Sequence, residues 1–171
     1  MTLITFVDEK DNVIGAGTKQ EAWYKGIAHR IARVFLFNSK GELLIQKRAE
    51  HIDSLPGRWD QSAAGHVDEG ETYLEAAARE LFEEVGVSGV ELKEIIRVAT
   101  DETDESGKIK KRFSMLYTTT YNGEIKFNRG EVSEVKWIHP DDLNRLMDEH
   151  PDDFTQGFMF NFKKYYEIRR K

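Results

Sequence analysis
The chain has no cysteine, so disulfides, thiolate metal centres and cysteine nucleophiles are all excluded. No apolar run is long enough to span a membrane. The opening MTLITFVDEK has no basic segment followed by an apolar core, so export through a signal peptide is not expected and a cytoplasmic location is the default. Positive charge is outnumbered, 25 lysines and arginines against 31 acids: a net charge of −6 and a pI near 5.5 argue against long nucleic acid as a partner. Proline is limited to three residues and no low-complexity segment or internal repeat breaks the chain. What is present, 171 residues that are 39% hydrophobic and 33% charged, fits one globular α+β domain over residues 1–171.

One stretch stands out, GHVDEGETYLEAAARELFEEVGV at residues 65–87. Leu74, Ala78, Leu81 and Val85 recur at helical spacing, predicting a helix over 72–85 with that stripe buried. Glu80, Glu83 and Glu84 stand three and four residues apart on a patch turned away from the stripe. Like charges so spaced cost a few tenths of a kcal/mol per pair, and no lysine or arginine follows any of them by four residues. Glu83 and Glu84 also fall in the last turn before the capping Gly86, where the helix dipole favours cations. A solvated acidic face is the ordinary reading of such a helix. A bound divalent cation resolves both conflicts, since clustered carboxylates are preferred ligands of magnesium and manganese. Arg79, one turn before Glu83, is placed to hold that carboxylate in one rotamer, and Glu71 at the helix entrance to join the same network.

These residues resemble the signature of the Nudix hydrolase family. The signature is a glycine, five residues, a glutamate, seven residues, Arg-Glu, an aliphatic, any residue, Glu-Glu, any residue, a glycine and an aliphatic; Gly65, Glu71, Arg79, Glu80, Leu81, Glu83, Glu84, Gly86 and Val87 meet it without departure. The resemblance implies a Nudix-like α/β/α sandwich with a mixed sheet. It also implies Mg2+ or Mn2+ held by the Gly65 carbonyl, Glu80, Glu83 and Glu84, with Arg79 in support. The reaction implied is hydrolysis of a phosphoanhydride in a small-molecule nucleoside diphosphate-linked substrate by water attack at phosphorus. Glu80 leads as the base within the motif; Glu131, with Glu134, is the candidate outside it, ahead of the strand carrying Trp137. The resemblance leaves a homodimer open, and no residue pattern selects a substrate subgroup.

The flanks HRIARVFLFNSKGELLIQKRA and LPGRWDQSAAGHV are similar to type 1 isopentenyl diphosphate isomerase, a relative of the same fold. That isomerase carries a cysteine just before its Gly-His pair, where this chain has Ala64, and its metal-binding acids lack counterparts near residues 110–112. The resemblance therefore implies a hydrolase on an isomerase-like branch, with isomerase or a non-catalytic nucleotide-binding module as alternatives.

Around the motif the patterns predict a hairpin from strands 3–7 and 13–16, then a short helix opened by Thr18 and Glu21. Long strands follow over 27–37 and 42–48, with 59–67 as a strand feeding the acidic helix. Arg30, Arg33, Lys47 and Arg48 sit on the first two; Arg30, Arg33 and Arg48 are the candidates for substrate phosphates, against an ordinary role as solvated strand charge. His29 and His66 are candidates for ligation or proton transfer, against simple hydrogen bonding. Strands are expected over 90–99, 112–121, 124–127 and 135–138, with 100–111 a charged, solvated loop. A proline-started helix over 140–147 and a closing helix marked by Phe154, Phe158, Phe162 and Tyr165, an aromatic core stripe, complete the chain.

Overall fold
The structure is a computed structural model that describes residues 2–52 and 54–171. Nine strands form one mixed sheet: β1 (Ile4–Val7), β2 (Val13–Gly17), β3 (His29–Phe37), β4 (Leu43–Arg48), β5 (Trp59–Asp60), β6 (Ala63–His66), β7 (Lys93–Thr103), β8 (Ile109–Thr120) and β9 (Val132–Ile138). Four helices accompany them: α1 (Lys19–Lys25), α2 (Tyr73–Val85), α3 (Pro140–Glu149) and α4 (Gln156–Arg169). The strand β3 is the axis. It pairs in parallel with β8 over its whole length and antiparallel with β6, where Ala32 lies opposite Gly65 and Arg33 opposite Ala64.

Alternation along β3 divides the core. Ala32, Val34 and Leu36 join Ala76, Ala77, Leu81 and Val85 of α2 on one face, whereas Phe35 meets Leu143 of α3 and Phe158 and Phe162 of α4 on the other. The expected aromatic stripe is thus core, with Phe35 edge-on to Phe158 and Tyr165. The helix starts follow their cap signals: Thr18 and Thr72 accept from the amides of Glu21 and Glu75, and Pro140 opens α3.

Four expectations need correction. First, residues 100–111 are a hairpin rather than a loop. Acidic β7 runs beside basic β8, with Asp101 opposite Lys111 and Glu102 opposite Lys110, so cross-strand charge pairing supports strands that composition alone disfavours. Second, 59–67 is two strands, because the Ser62 hydroxyl bonds both Leu36 N and Leu44 O and interrupts the run. Third, 124–127 forms no strand. Lys126 N and Asn128 N instead donate to the carbonyls of Val85 and Glu84, supplying the acceptor-rich end of α2 with donors.

The fourth concerns the rotation of α2. Ala76, Ala77, Leu81 and Val85 are buried, while Leu74 is 49% exposed and Ala78 faces solvent. The alanines let the helix lie close on the sheet, and the turn this requires carries Glu84 inward to 7% exposure.

Candidate active site
The acidic residues of α2 divide by side. Positions 80 and 84 look toward β6; position 83 looks outward with its carboxylate about half exposed. Gly65 of β6 makes room for this, since a Cβ there would overlap the Glu80 carboxylate. Glu84 accepts from Ala64 N at 3.0 Å and from Gln46 Nε2 at 2.8 Å, so the strand edge and β4 fix its orientation. The Glu80 and Glu84 carboxyl groups stand within hydrogen-bonding reach of each other. Burial raises both above the usual carboxylate range, Glu84 far above it, and the Glu80 charge raises Glu84 further.

Arg79 ties the site together. Its Nε and Nη2 donate to the two Glu71 oxygens at 2.8 and 2.9 Å, Nη2 to the His66 carbonyl at 3.0 Å, and Nη1 to Glu80 at 2.7 Å. Its bond to Glu83, at 3.3 Å, is longer than those to Glu71 and Glu80, and Asp68 lies 3.3 Å away. Glu71 in turn accepts from Asp68 N. The loop before α2, the β6 strand end and the acidic turn of the helix are therefore locked by one planar fork.

Of the expected metal set, Gly65, Glu80 and Glu84 come together, and Glu83 is turned toward Arg79. Among the described residues no three acidic or imidazole groups stand at the spacing of a metal centre. Two carboxyl groups meeting beside the Gly65 backbone nevertheless fit a hard divalent cation, whose charge would offset the burial, and after it the Glu80 charge on Glu84, that now favour the protonated forms. His29 and His66 stack with ring centroids 5.4 Å apart, and His29 Nδ1 bonds the Ile27 carbonyl. Burial, followed by the neighbouring His29, pulls His66 down to about 3, and burial also lowers His29, so both rings are neutral.

The three arginines diverge. Arg30 is committed to Asp11, with Nε 2.7 Å from Oδ1, and its guanidinium stacks over Tyr73. Arg33 is buried on the opposite face of the sheet from α2, beside α4. Arg48 bonds the Ser54 carbonyl and Asp60 with its side chain about a quarter exposed. Glu131 is exposed on the turn entering β9, its carbonyl accepting from Ala49 N. Gln46, which orients Glu84, carried no signal beyond a polar residue in an apolar strand. A depression of about 860 Å³ near Tyr165 and Arg169 lies at the far end of β3, with Glu91 as the one acid in its lining.

Comparison with known proteins settles the family. The model of the NUDIX domain matches residues 28–158. The chain belongs to the Nudix family. This Nudix domain is 34% identical over 139 residues to an uncharacterized Nudix hydrolase of Pseudomonas aeruginosa, covering 81% of the chain and 79% of the relative. It is 32% identical over 164 residues to an isopentenyl-diphosphate Delta-isomerase of Pectobacterium atrosepticum, covering 96% and 91%. Its fold matches a Deinococcus radiodurans crystal structure with a TM-score of 0.79 at 23% identity, over 95% of this chain and 98% of that one. The Nudix α/β/α arrangement and the isomerase-like flanks thus agree with the sequence reading. Among the described residues no helix is long and apolar enough to cross a membrane.

Proposed function
We propose that this Nudix domain hydrolyses a diphosphate linkage in a small nucleoside diphosphate derivative, using Mg2+ or Mn2+ at the Glu80–Glu84 pair. The observation that carries the reading is the meeting of those two buried carboxyl groups against Gly65. A structural helix gains nothing from it, and a cation site does. Glu80, Glu84 and the Gly65 carbonyl would hold the ion, with Glu83 swinging from Arg79 to complete the set. A bound ion there supplies charge neutralisation of the diphosphate and a more acidic water.

The chain's own groups do the rest. Arg79 holds Glu80 in place and keeps Glu83 within reach. Glu80, with its pKa already raised by burial, accepts the proton of the attacking water. Glu131 is the alternative base because it is exposed and free to turn. Arg48 offers its partly exposed guanidinium to a substrate phosphate.

Isomerisation of isopentenyl diphosphate is the second reading, favoured by the names of relatives at 32% identity. Against it, Ala64 has no ionisable proton to donate, and β8 carries Lys110 and Arg112 where the isomerase resemblance implies acids. The test is a magnesium-dependent screen over nucleoside di- and triphosphates, nucleotide sugars, dinucleotides and isopentenyl diphosphate, with products identified by mass. Phosphoanhydride cleavage supports the proposal; dimethylallyl diphosphate as the product, or tight binding without turnover, overturns it.

A further inference from the structure
The face of the sheet opposite α2 holds a second concavity of about 260 Å³, walled by Arg33 of β3, Glu102 of β7, Arg112 of β8 and Gly157, Phe160 and Asn161 of α4. Its lining carries two guanidinium groups against one carboxylate, Glu102. Arg33 is 6% exposed, yet it bonds only the neutral Ser114 Oγ at 3.2 Å and Gln61 Oε1 at 2.9 Å. The nearby carboxylates are engaged elsewhere, Asp60 with Arg48 and Glu102 with Arg112 Nη2 at 3.0 Å. Among the described residues no ion pair reaches Arg33. Burial opposes the Arg33 charge, Asp60 offsets part of that from a distance and Glu102 a smaller part, and Arg112 beside it adds to the cost.

Gly157, the second residue of α4, makes the conflict sharper. A Cβ there would stand 2.8 Å from Arg33 Nη2, so the glycine leaves the guanidinium room over the first turn of the helix. That turn presents the amides of Gln156 and Gly157, which have no intrahelical acceptor, and the positive end of the dipole. Two cations and a helix N-terminus meet where an anion belongs. Unpartnered atoms concentrate here as well. Among the described residues, the buried side-chain polar atoms without a partner are Trp23 Nε1, His29 Nε2, Arg112 Nε and Asn161 Oδ1. The last two line this chamber, Asn161 is 1% exposed, and His29 stands opposite Arg112 across β3 and β8.

We propose that this chamber is a binding site for a phosphate group, clasped by Arg33, Arg112 and the first amides of α4. Phosphate suits the lining because it offers anionic oxygens to the guanidinium donors and a hydroxyl to the Asn161 Oδ1 acceptor. The site stands apart from the proposed hydrolysis, since nothing in it involves α2 or a metal.

The test is calorimetric titration of the full chain with orthophosphate, and separately with ribose 5-phosphate, in chelator-containing buffer at fixed chloride. Saturable one-to-one binding with a Kd of about 1 mM or tighter is expected. Stronger binding of the ester marks an esterified phosphate as the occupant, and equal or stronger binding of orthophosphate marks the free anion; either supports the site. Arg112→Gln, on the chamber rim, should weaken binding about tenfold. Gly157→Ala, which pushes only on Arg33, should weaken it severalfold and guards against misfolding of the first variant. Glu80→Gln should bind as the unaltered chain does. The proposal is overturned by no saturation below about 10 mM, by unchanged affinity in Gly157→Ala, or by loss of binding in Glu80→Gln.

Discussion
Replacing Glu80 by glutamine should stabilise the metal-free protein while abolishing its catalysis. The Glu80 side chain is 15% exposed and receives Arg79 Nη1 at 2.7 Å. A glutamine keeps that bond through its oxygen and turns its NH2 toward Glu84, so a like-charge contact becomes a hydrogen bond with no partner orphaned. Two carboxylates about 4 Å apart repel by about 4 kcal/mol at an effective dielectric near 20. The pair already escapes part of this by retaining a proton, which leaves a gain of about 1–2 kcal/mol near neutral pH. For a chain of this size that is a rise in Tm of about 2–8 °C.

The gain should depend on pH with a definite sign. Both carboxyl groups have native pKa values above the ordinary 4.5, so the native state holds its proton more tightly than the unfolded chain. Stability from this pair is complete below about 4.5 and is lost as pH rises through the elevated native values. The variant's advantage should therefore be small at pH 5 and largest at pH 8–9. Thermal melts with chelator across that range, beside turnover with Mg2+, measure both halves. A lower Tm at pH 8, or turnover within about threefold of the unaltered chain, would refute the reasoning.

Other perturbations probe the same network. Glu83→Gln and Glu84→Gln should each lose about 100-fold or more in turnover if ion positioning supplies several kcal/mol; normal rates in folded variants would remove these residues from the mechanism. Added Mg2+ or Mn2+ should raise the Tm of the unaltered chain and do so less in those variants, and a flat melting curve across the titration would count against a cation site. Arg79→Lys keeps the charge but cannot span Glu71, Glu80 and the His66 carbonyl together, so Tm should fall by several degrees and kcat with it. Gly65→Ala should displace Glu80 and cost about 1–3 kcal/mol by overpacking, read by denaturant titration; unchanged stability and rate would show that the carboxylate moves aside freely.

Much of this was legible in the residues. The caps at Thr18 and Gly86, the alternation of β3 and the aromatic stripe before and along α4 are local patterns, and the structure follows them, while Thr72, expected as the first residue of its helix, is instead the cap before it. The acids, arginine and glycine of α2 and its entrance were readable from spacing. The rotation of α2 was not, because a hydrophobic scale ranks Leu74 above Ala76 and Ala77 while close approach to a sheet favours the smaller residues. The 100–111 hairpin escaped because its signal lay in acids facing bases across a turn, a pairing visible only once the register is known. Gln46 bonds Glu84, far along the chain, and Arg112 and Asn161 meet only in the wall of one chamber, so nothing adjacent to them announces it.

The strand β3 serves as a partition with a different room on each side. Of two neighbours, Ala32 packs beneath the acidic helix, while Arg33 lines the chamber beside the closing helix. If the chamber binds phosphate as proposed, its ligand preference can therefore drift through single changes at odd-numbered β3 positions or along β8 and α4. The proposed carboxylate site, set on the other face, need not be disturbed, which is one physical route by which a shared scaffold comes to accept unrelated compounds.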